Sequence, residues 1–227
     1  MLTKRVALSW SGGKDSCLAL DKLTKQGVEV ACLITTVPIE IGRTFGHGEK
    51  MELVNLQAKA LDIPVEFISC TFEDYTNSFA NALKSYKHQY QLDGIAFGDL
   101  YLEEHREWGE QLAKDTSLEP IYPLWGRKED ALHLLATFVQ SGYKATVIRV
   151  REDVLDITWL GRQLDTAFIH DMMTKDCCPM GESGEYHTFV SDGPLFHAKI
   201  ELEQPEIIKF ETTQKYEFQK IKLIQKE

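Results

Sequence analysis

The residues Ser9-Trp10-Ser11-Gly12-Gly13-Lys14-Asp15-Ser16 stand between a short apolar run and a pattern with helical spacing. The run Arg5–Trp10 is typical of a strand buried on both faces, and the helical pattern covers Lys14–Gln26. The two glycines let the backbone turn tightly and approach an anion, while a helix start offers free N–H groups and the positive end of its dipole. The segment therefore predicts a phosphate-binding loop at the end of a strand.

Strand-like and helix-like patterns continue to alternate through the first half of the chain. Short apolar runs predict further strands at Glu29–Thr36, Val65–Cys70 and Gly94–Gly98. Residues 51–61, 75–90 and 102–116 have apolar side chains at helical spacing. Parallel strands need crossovers of this length, so we expect an α/β fold with a parallel sheet and helices on both faces. In such sheets ligands bind at the carboxyl ends of the strands.

The pattern changes after about residue 120, where we place a boundary between two regions. Residues 1–120 form the expected nucleotide-binding domain, and residues 121–227 a smaller C-terminal α+β region that binds the substrate. The elements expected there are helices at Lys128–Ser141 and Trp159–Lys175, a strand at Lys144–Val150, a glycine-rich stretch at Gly181–Gly193 and antiparallel strands within Lys199–Ile224. The alternation of apolar and polar residues is interrupted between Phe218 and Ile221. Either a bulge or the end of a strand would account for this interruption.

The composition limits the partners and the compartment. Asp plus Glu number 35 and Lys plus Arg number 25, so the net charge of -10 argues against a nucleic-acid partner, which needs a basic face. No run approaches the roughly 18–20 apolar residues of a membrane span, so we expect no membrane partner. The five cysteines include no C-x-x-C pair, which fits a protein of the reducing cytoplasm without a disulfide framework or a cysteine zinc site. The sequence leaves open whether the protein forms a homo-oligomer.

The loop differs from two common phosphate-binding motifs. Leu8 stands where a Walker A loop has its first glycine, Lys14 is followed by Asp15, and the spacing is not that of a dinucleotide-binding loop. Residues 11–16 instead resemble the PP-loop, S-G-G-x-D-S, of the ATP pyrophosphatases. This resemblance implies an adenine nucleotide alpha-hydrolase-like fold and an enzyme that splits ATP between the α and β phosphates. Pyrophosphate would be released as an acceptor is adenylated, and AMP would leave when the adenylate reacts.

Further motifs resemble one branch of these enzymes, the diphthine–ammonia ligase family. They are Trp10, His47-Gly48, Phe97-Gly98-Asp99, Tyr122-Pro123-Leu124-Trp125 and Gly181-Glu182-Ser183-Gly184-Glu185-Tyr186-His187-Thr188. The resemblance implies an amide-forming ligase that uses ATP and Mg²⁺ to join ammonia, or another amine, to a carboxylate on a small molecule or a protein. The family's named reaction takes place on diphthine of translation elongation factor two. His187 stands where members with that activity tend to have a carboxylate, and in this it resembles a bacterial branch, some of whose members are linked to corrinoid salvage.

The predicted nucleotide site combines the loop with residues from three other segments. We expect ATP to contact Ser11, Gly12, Gly13, Lys14, Asp15, Ser16, Thr35, His47 and Gly98. Thr35 is included because adenine is expected beside the end of the second strand, and His47 because its glycine-rich loop can close over ATP or the acceptor. Asp15 and Asp99 are the predicted Mg²⁺ ligands, since carboxylates suit this ion. The alternatives are support of the helix dipole by Asp15 and a turn role for Asp99.

The predicted catalytic residues are Asp15, Glu182, Glu185 and His187. Paired carboxylates can bind an amine or hold a proton for an attacking nucleophile, and a histidine can orient the substrate or act as a base near neutral pH. Solvated acids in a polar loop and a structural histidine are the alternatives.

Other functions stay open at this point. They are transfer RNA modification, which other PP-loop proteins perform, a role in corrinoid salvage, and nucleotide sensing without catalysis.

The role of Arg106 is also open, because its side chain could contact phosphate or form an ion pair with Glu103 or Glu110 on its own helix.

Overall fold

The computed structural model describes residues 3–210 and 213–226. The chain divides into two compact units. The first consists of Met1–Ser11 and Asp15–Trp125, and the second of Gly12–Lys14 and Gly126–Glu227. After Trp125 the chain leaves the first unit, and from Gly126 onwards it belongs to the second.

The first unit is built on a five-stranded, fully parallel sheet. Its strands are β1 Arg5–Ser9, β2 Glu29–Pro38, β3 Val65–Cys70, β4 Gly94–Ala96 and β5 Glu119–Ile121, in the order β3-β2-β1-β4-β5. Its helices are α1 Lys14–Lys25, α2 Met51–Leu61, α3 Tyr75–Tyr90 and α4 Glu103–Thr116. The predicted α/β class with a parallel sheet is confirmed. Strand β5 is the one element of this unit that the sequence did not indicate, because Pro120 interrupts its pattern, and it lies at the sheet edge, where proline is tolerated.

The strand order places a ligand site at one point of the sheet. From β1 the chain first adds β2 and β3 on one side and then crosses to add β4 and β5 on the other. The loops that follow β1 and β4 therefore leave the sheet towards opposite faces and open a crevice between them. A core packed under α3 and α4, which includes Ile95, Phe79, Leu83 and Leu112, fixes this edge of the sheet.

The second unit contains a four-stranded antiparallel sheet. Its strands are β6 Lys144–Arg151, β7 Tyr186–Asp192, β8 Ala198–Phe210 and β9 Thr213–Gln225, in the order β7-β6-β9-β8. Its helices are α5 Ala131–Gln140 and α6 Thr166–Met172, with 3₁₀ turns at Lys128–Asp130 and Ile157–Trp159.

Two predictions for this unit need correction. The helix expected at Trp159–Lys175 is wrong in its first half, because Gly161 has a φ of 79° and Asp165 caps a helix that begins only at Thr166. The glycine-rich stretch Gly181–Gly193, to which the sequence assigned no regular element, contains β7. In both places glycines outside the regular element obscured where that element begins.

The tail forms one long hairpin rather than several pieces. Strands β8 and β9 pair without a register shift from Ala198 opposite Gln225 to Lys209 opposite Gln214. The irregularity that the sequence suggested lies in the partner strand, where Gln204 has a φ of 53°. In the part of the chain that the structure describes, no helix is long and apolar enough to cross a membrane.

Candidate functional site

Trp10 fixes the start of the phosphate loop from two neighbouring elements. Its backbone N–H donates to the Ile34 carbonyl at 2.8 Å, and its own carbonyl accepts a hydrogen bond from the Thr35 hydroxyl at 2.7 Å. Its indole Nε1–H donates to Oε1 of Gln57 at 3.0 Å, and both side chains are buried. Strand β2 and helix α2 thus hold the loop in place, so that it needs little reorganisation to receive an anion.

Two hydroxyl groups of the loop face each other. Oγ of Ser11 lies 3.3 Å from Oγ of Ser16, across the turn that leads into α1. Gly12 has a φ of 79°, in the left-handed region that a side chain disfavours. Hydroxyl donors and the first turn of a twelve-residue helix therefore converge on one place, as phosphate binding requires.

Gly98 lies against the start of α1. A Cβ atom at this position would come within 3.2 Å of the Asp15 carbonyl carbon and the Ser16 nitrogen, which explains why no side chain is present. Asp99 follows at once, and its Oδ1 lies 3.0 Å from Nδ1 of His105. The carboxylates of Asp15 and Asp99 thus belong to two segments in backbone contact, and their oxygen atoms suit Mg²⁺.

Within the second unit, strand β7 contacts the middle of the loop. The carbonyl of Gly12 accepts a hydrogen bond from the Val190 N–H at 3.0 Å, and the Lys14 N–H donates to Oγ1 of Thr188 at the same distance. Nζ of Lys14 lies 4.6 Å from the centroid of the Tyr186 ring. Lys14 is only 2% exposed. Tyr186 and Thr188 belong to the motif Gly181–Thr188, but neither was among the predicted nucleotide-binding residues, because the sequence gives no sign that this motif contacts the loop.

The carboxylate of Glu185 organises its own loop. One oxygen accepts a hydrogen bond from the Cys178 N–H at 3.2 Å and the other accepts one from the Ser183 N–H at 2.9 Å. The side chain is buried, and Gly181 next to it has no room for a Cβ, which would lie 2.8 Å from the Tyr186 carbonyl oxygen. This geometry gives Glu185 a positioning role for the segment that carries Glu182.

Glu182 and His187 are both half-buried. Glu182 lies between Gly181 and Gly184, which both have positive φ angles and shape the tight turn of this segment. His187 lies in β7 opposite Arg149 of β6. Of the two glutamates, Glu182 therefore has the side chain that is more accessible to a ligand.

Two further residues of the predicted nucleotide site are buried. The Thr35 hydroxyl is engaged with the Trp10 carbonyl, so its side chain supports the loop. His47 lies in a turn closed by hydrogen bonds between Thr44 and Glu49, including one from the Glu49 N–H to Oγ1 of Thr44 at 2.9 Å. The structure thus gives the loop around His47 a defined fold.

Arg106 forms the ion pair that the sequence left as one of two possibilities. Its Nε donates to Oε1 of Glu110 at 2.8 Å, and its guanidinium lies 5.1 Å from the centroid of the Trp125 ring. Glu103 is at 3.9 Å. The guanidinium is thus held along the surface of α4.

A cavity of about 360 Å³ opens in the first unit at the carboxyl ends of the strands. Ser9, the last residue of β1, forms part of its wall, and most of the rest is aromatic. The aromatic residues are Phe45, Tyr75, Phe97 and Trp108. The sequence does not indicate this cavity, because these residues come from four separate segments.

The relatives that a comparison with known proteins gives share one name. The chain is 29% identical over 231 residues to proteins named diphthine–ammonia ligase from Bos taurus and from Homo sapiens, an alignment that covers 90% of this chain and 85% of each relative. A Schizosaccharomyces pombe protein of the same name is 28% identical over 221 residues, which is 36% of its length. The name is that of a ligase, in agreement with the enzyme class that the sequence predicts.

Among solved structures, the U34-tRNA thiolase NcsA from Methanococcus maripaludis with its 4Fe–4S cluster aligns over 60% of this chain and 56% of its own. The identity is 17% and the TM-score 0.35, so the likeness carries no weight for function.

Two family models together match most of the chain. The diphthamide synthase N-terminal domain matches residues 4–120, and the diphthamide synthase C-terminal domain matches residues 130–224. The first match includes the phosphate loop and Gly98-Asp99, and the second includes Glu182, Glu185 and His187. The chain therefore belongs to the diphthamide synthase family.

Proposed function

We propose that this protein is an ATP-dependent ligase that converts an acceptor carboxylate to an amide and releases AMP and pyrophosphate. The observation that carries the proposal is the loop Ser11–Ser16, which is anchored through Trp10 at the point where the strand order reverses. Family membership and the ligase relatives support the same chemistry. Neither the relatives nor the family models favour transfer RNA modification, corrinoid salvage or sensing without catalysis.

The loop binds the phosphates of ATP in this proposal. The hydroxyls of Ser11 and Ser16 donate to phosphate oxygens, and the N-terminus of α1 adds its free N–H groups and dipole. Lys14 supplies positive charge, and the contact of its ammonium group with the Tyr186 ring fixes the orientation of its side chain. Gly98 allows the turn after β4 to lie close to the loop.

Asp15 and Asp99 are the residues that would hold Mg²⁺. Carboxylate oxygen atoms suit this hard cation, and Gly98, which directly precedes Asp99, lies close to the backbone of Asp15. When bound, the ion neutralises charge on the phosphates of the leaving pyrophosphate. His105 fixes the orientation of Asp99 through the 3.0 Å contact between Nδ1 and Oδ1.

The reaction then proceeds in two displacements. A carboxylate oxygen of the acceptor forms a bond to the α-phosphorus, and the bond to the bridging oxygen breaks as pyrophosphate leaves. Ammonia next attacks the carbonyl carbon, AMP leaves with the acceptor oxygen, and the attacking nitrogen loses a proton. We assign the binding of ammonia and the acceptance of this proton to Glu182, and the orientation of its loop to Glu185. His187 is the proposed residue that orients the acceptor.

The products distinguish this function from its alternatives. We would incubate the protein with ATP, Mg²⁺, ammonium and elongation factor two carrying diphthine, and separate AMP, ADP and pyrophosphate by chromatography. The ligase predicts AMP and pyrophosphate in equal amounts, together with an amide on the acceptor. ADP would refute the proposed cleavage, and tight ATP binding without turnover would refute catalysis. A Ser11→Ala and Ser16→Ala double variant should lose the activity, whereas the exposed Ser117→Ala on the same unit should keep it.

A further inference from the structure

Helix α1 is capped by a side chain that lies far from it in the sequence. The first backbone N–H groups of a helix have no acceptor within that helix, and a Ser, Thr, Asp or Asn directly before the helix usually supplies one. Gly13 precedes α1 and has no side chain for this purpose. Instead, Oγ1 of Thr188 accepts a hydrogen bond from the Lys14 N–H at 3.0 Å, across 174 positions of the chain. Strand β7 thus supplies the cap that the glycines of the phosphate loop cannot provide.

A second hydrogen bond from β7 fixes the other side of Gly13. The Val190 N–H donates to the carbonyl of Gly12 at 3.0 Å, and Gly12 has the left-handed φ of 79°. Together with the bond to Lys14, this contact holds the backbone on both sides of Gly13. Glycine has more conformational freedom to lose than any other residue. Because β7 already orders this segment in the folded protein, a ligand of the loop does not have to order it on binding.

The burial of Thr188 indicates that its hydroxyl serves the loop. The side chain is 0% exposed and lies in the sheet opposite Val147 of β6. At such a position valine, which has nearly the same shape, would avoid the burial of a hydroxyl group. A buried hydroxyl is tolerated where it is hydrogen-bonded, and this one accepts its hydrogen bond from the Lys14 N–H. Packing of β7 alone would be served equally well by valine.

The same face of β7 also contacts the other end of Lys14. Tyr186 lies two residues before Thr188 and therefore on the same face of the strand. Its ring contacts the Lys14 ammonium group, with 4.6 Å between Nζ and the ring centroid. The Tyr186 hydroxyl donates to the Pro179 carbonyl at 2.7 Å, and the centroid of the Phe168 ring lies 5.4 Å from that of Tyr186. Strand β7 thus fixes both the backbone and the charged group of Lys14.

We propose that Thr188 is a positioning residue of the nucleotide site, which caps α1 at Lys14 and so holds Gly12–Lys14 in the conformation that receives ATP. The identification of the ligand as ATP rests on the proposed function, whereas the cap rests on the contacts of β7 alone. Thr188 acts through the backbone of the loop and takes no part in the chemical steps.

Two substitutions at this position separate the hydroxyl from the rest of the side chain. Thr188→Val removes the hydroxyl and keeps the size, whereas Thr188→Ser keeps the hydroxyl. Hydrogen exchange of the Lys14 amide, followed by NMR, should be at least about tenfold faster in Thr188→Val, and Thr188→Ser should restore it to within about threefold. The Leu164 amide, which donates to the Ala145 carbonyl at 3.0 Å, reports opening of the second unit as a whole and should change much less. ATP affinity should fall at least about tenfold in Thr188→Val and stay within about threefold in Thr188→Ser.

Thr116→Val is the matched control. Thr116 is also buried, and its hydroxyl donates to the Leu112 carbonyl at 2.9 Å within α4. This change removes a buried hydroxyl of the same kind without touching the loop. It should leave both ATP affinity and the exchange of the Lys14 amide unchanged.

Several results would overturn the proposal. In the unchanged protein without ATP, the Lys14 amide should exchange at least about a hundredfold more slowly than in an unstructured peptide, and exchange at the peptide rate would refute the cap without any variant. Unchanged ATP affinity in Thr188→Val, or equal losses in Thr188→Val and Thr188→Ser, would refute the positioning role of the hydroxyl. ATP binding that depends on this hydroxyl but yields no AMP would support the positioning role and refute the ligase, so the two claims fail separately.

Discussion

Trp10 shows how a single side chain connects the phosphate loop to the core. Its indole N–H and the Gln57 side-chain oxygen form a buried hydrogen bond of 3.0 Å. Replacing Trp10 by Phe removes the donor, and we expect the free energy of unfolding to fall by about 1–3 kcal/mol. Urea denaturation measures this loss. A double-mutant cycle with Gln57→Leu should recover a coupling energy between the two positions, and strictly additive losses would contradict the assigned contact.

Glu182 and Glu185 have different predicted responses to the same substitution. Glu185→Gln leaves one oxygen to accept the two backbone N–H groups of Cys178 and Ser183, so we expect a loss of about 1–3 kcal/mol in unfolding free energy. Glu182→Gln should change stability by less than about 0.5 kcal/mol and should lower amide formation without weakening ATP binding. Urea denaturation, ATP titration and product analysis on the two variants give the comparison. A larger stability loss for Glu182→Gln would reverse the two roles.

Cysteine reactivity gives a test of burial at single residues. Burial raises the pKa of Cys32 to about 12 and that of Cys17 well above its usual value. Because the thiolate is the reactive form, a raised pKa leaves less of it at about pH 8 than an exposed cysteine has. Cys177 is the half-buried one of the five, although its pKa is also raised, mainly by burial. Alkylation with iodoacetamide followed by mass spectrometry should label Cys177 first, and early labelling of Cys17 or Cys32 would contradict the packing.

At the scale of elements, periodicity predicted most of the first unit. Helices α2 and α3 and strand β3 lie where the spacing of apolar residues placed them. Strand β5 was not predicted, because Pro120 interrupts its short pattern, and it pairs with β4 at the edge of the sheet. Strand β7 was not predicted either, because it lies in the glycine-rich stretch Gly181–Gly193. The glycines at 181 and 184 belong only to the turn before the strand.

The contact between the turn after β4 and the start of α1 leads to a prediction for two glycines. Gly98→Ala places a Cβ within 3.2 Å of the α1 backbone, so the loop must shift, and we expect ATP affinity to fall at least about tenfold. Gly27→Ala is the control, because its Cβ meets nothing within 4 Å and its φ of 75° costs stability only. ATP titration and urea denaturation of both variants separate binding from folding. Unchanged ATP affinity in Gly98→Ala would show that this contact does not shape the nucleotide site.

At the scale of the whole molecule, the sequence indicated the contiguous phosphate loop but not the spatial arrangement of residues from separate segments. The phosphate loop was recognisable because its residues are contiguous, and its helix start follows from local pattern. The cavity lined by Phe45, Tyr75, Phe97 and Trp108 was not recognisable, because these residues lie in four segments that only the parallel sheet brings together. Periodicity assigns such side chains to a core, and it does not indicate which of them line a cavity.

Exchange of labelled pyrophosphate into ATP tests the central claim most directly, because an adenylated acceptor is formed reversibly before ammonia is needed. The reaction would contain the protein, ATP, Mg²⁺, labelled pyrophosphate and elongation factor two from a eukaryotic cell that lacks diphthine–ammonia ligase. We predict that label enters ATP when the acceptor is present and ammonium is absent, and that the Ser11→Ala and Ser16→Ala double variant abolishes the exchange. Amide formation without any exchange, or exchange that is independent of the acceptor, would contradict activation of an acceptor carboxylate as its adenylate.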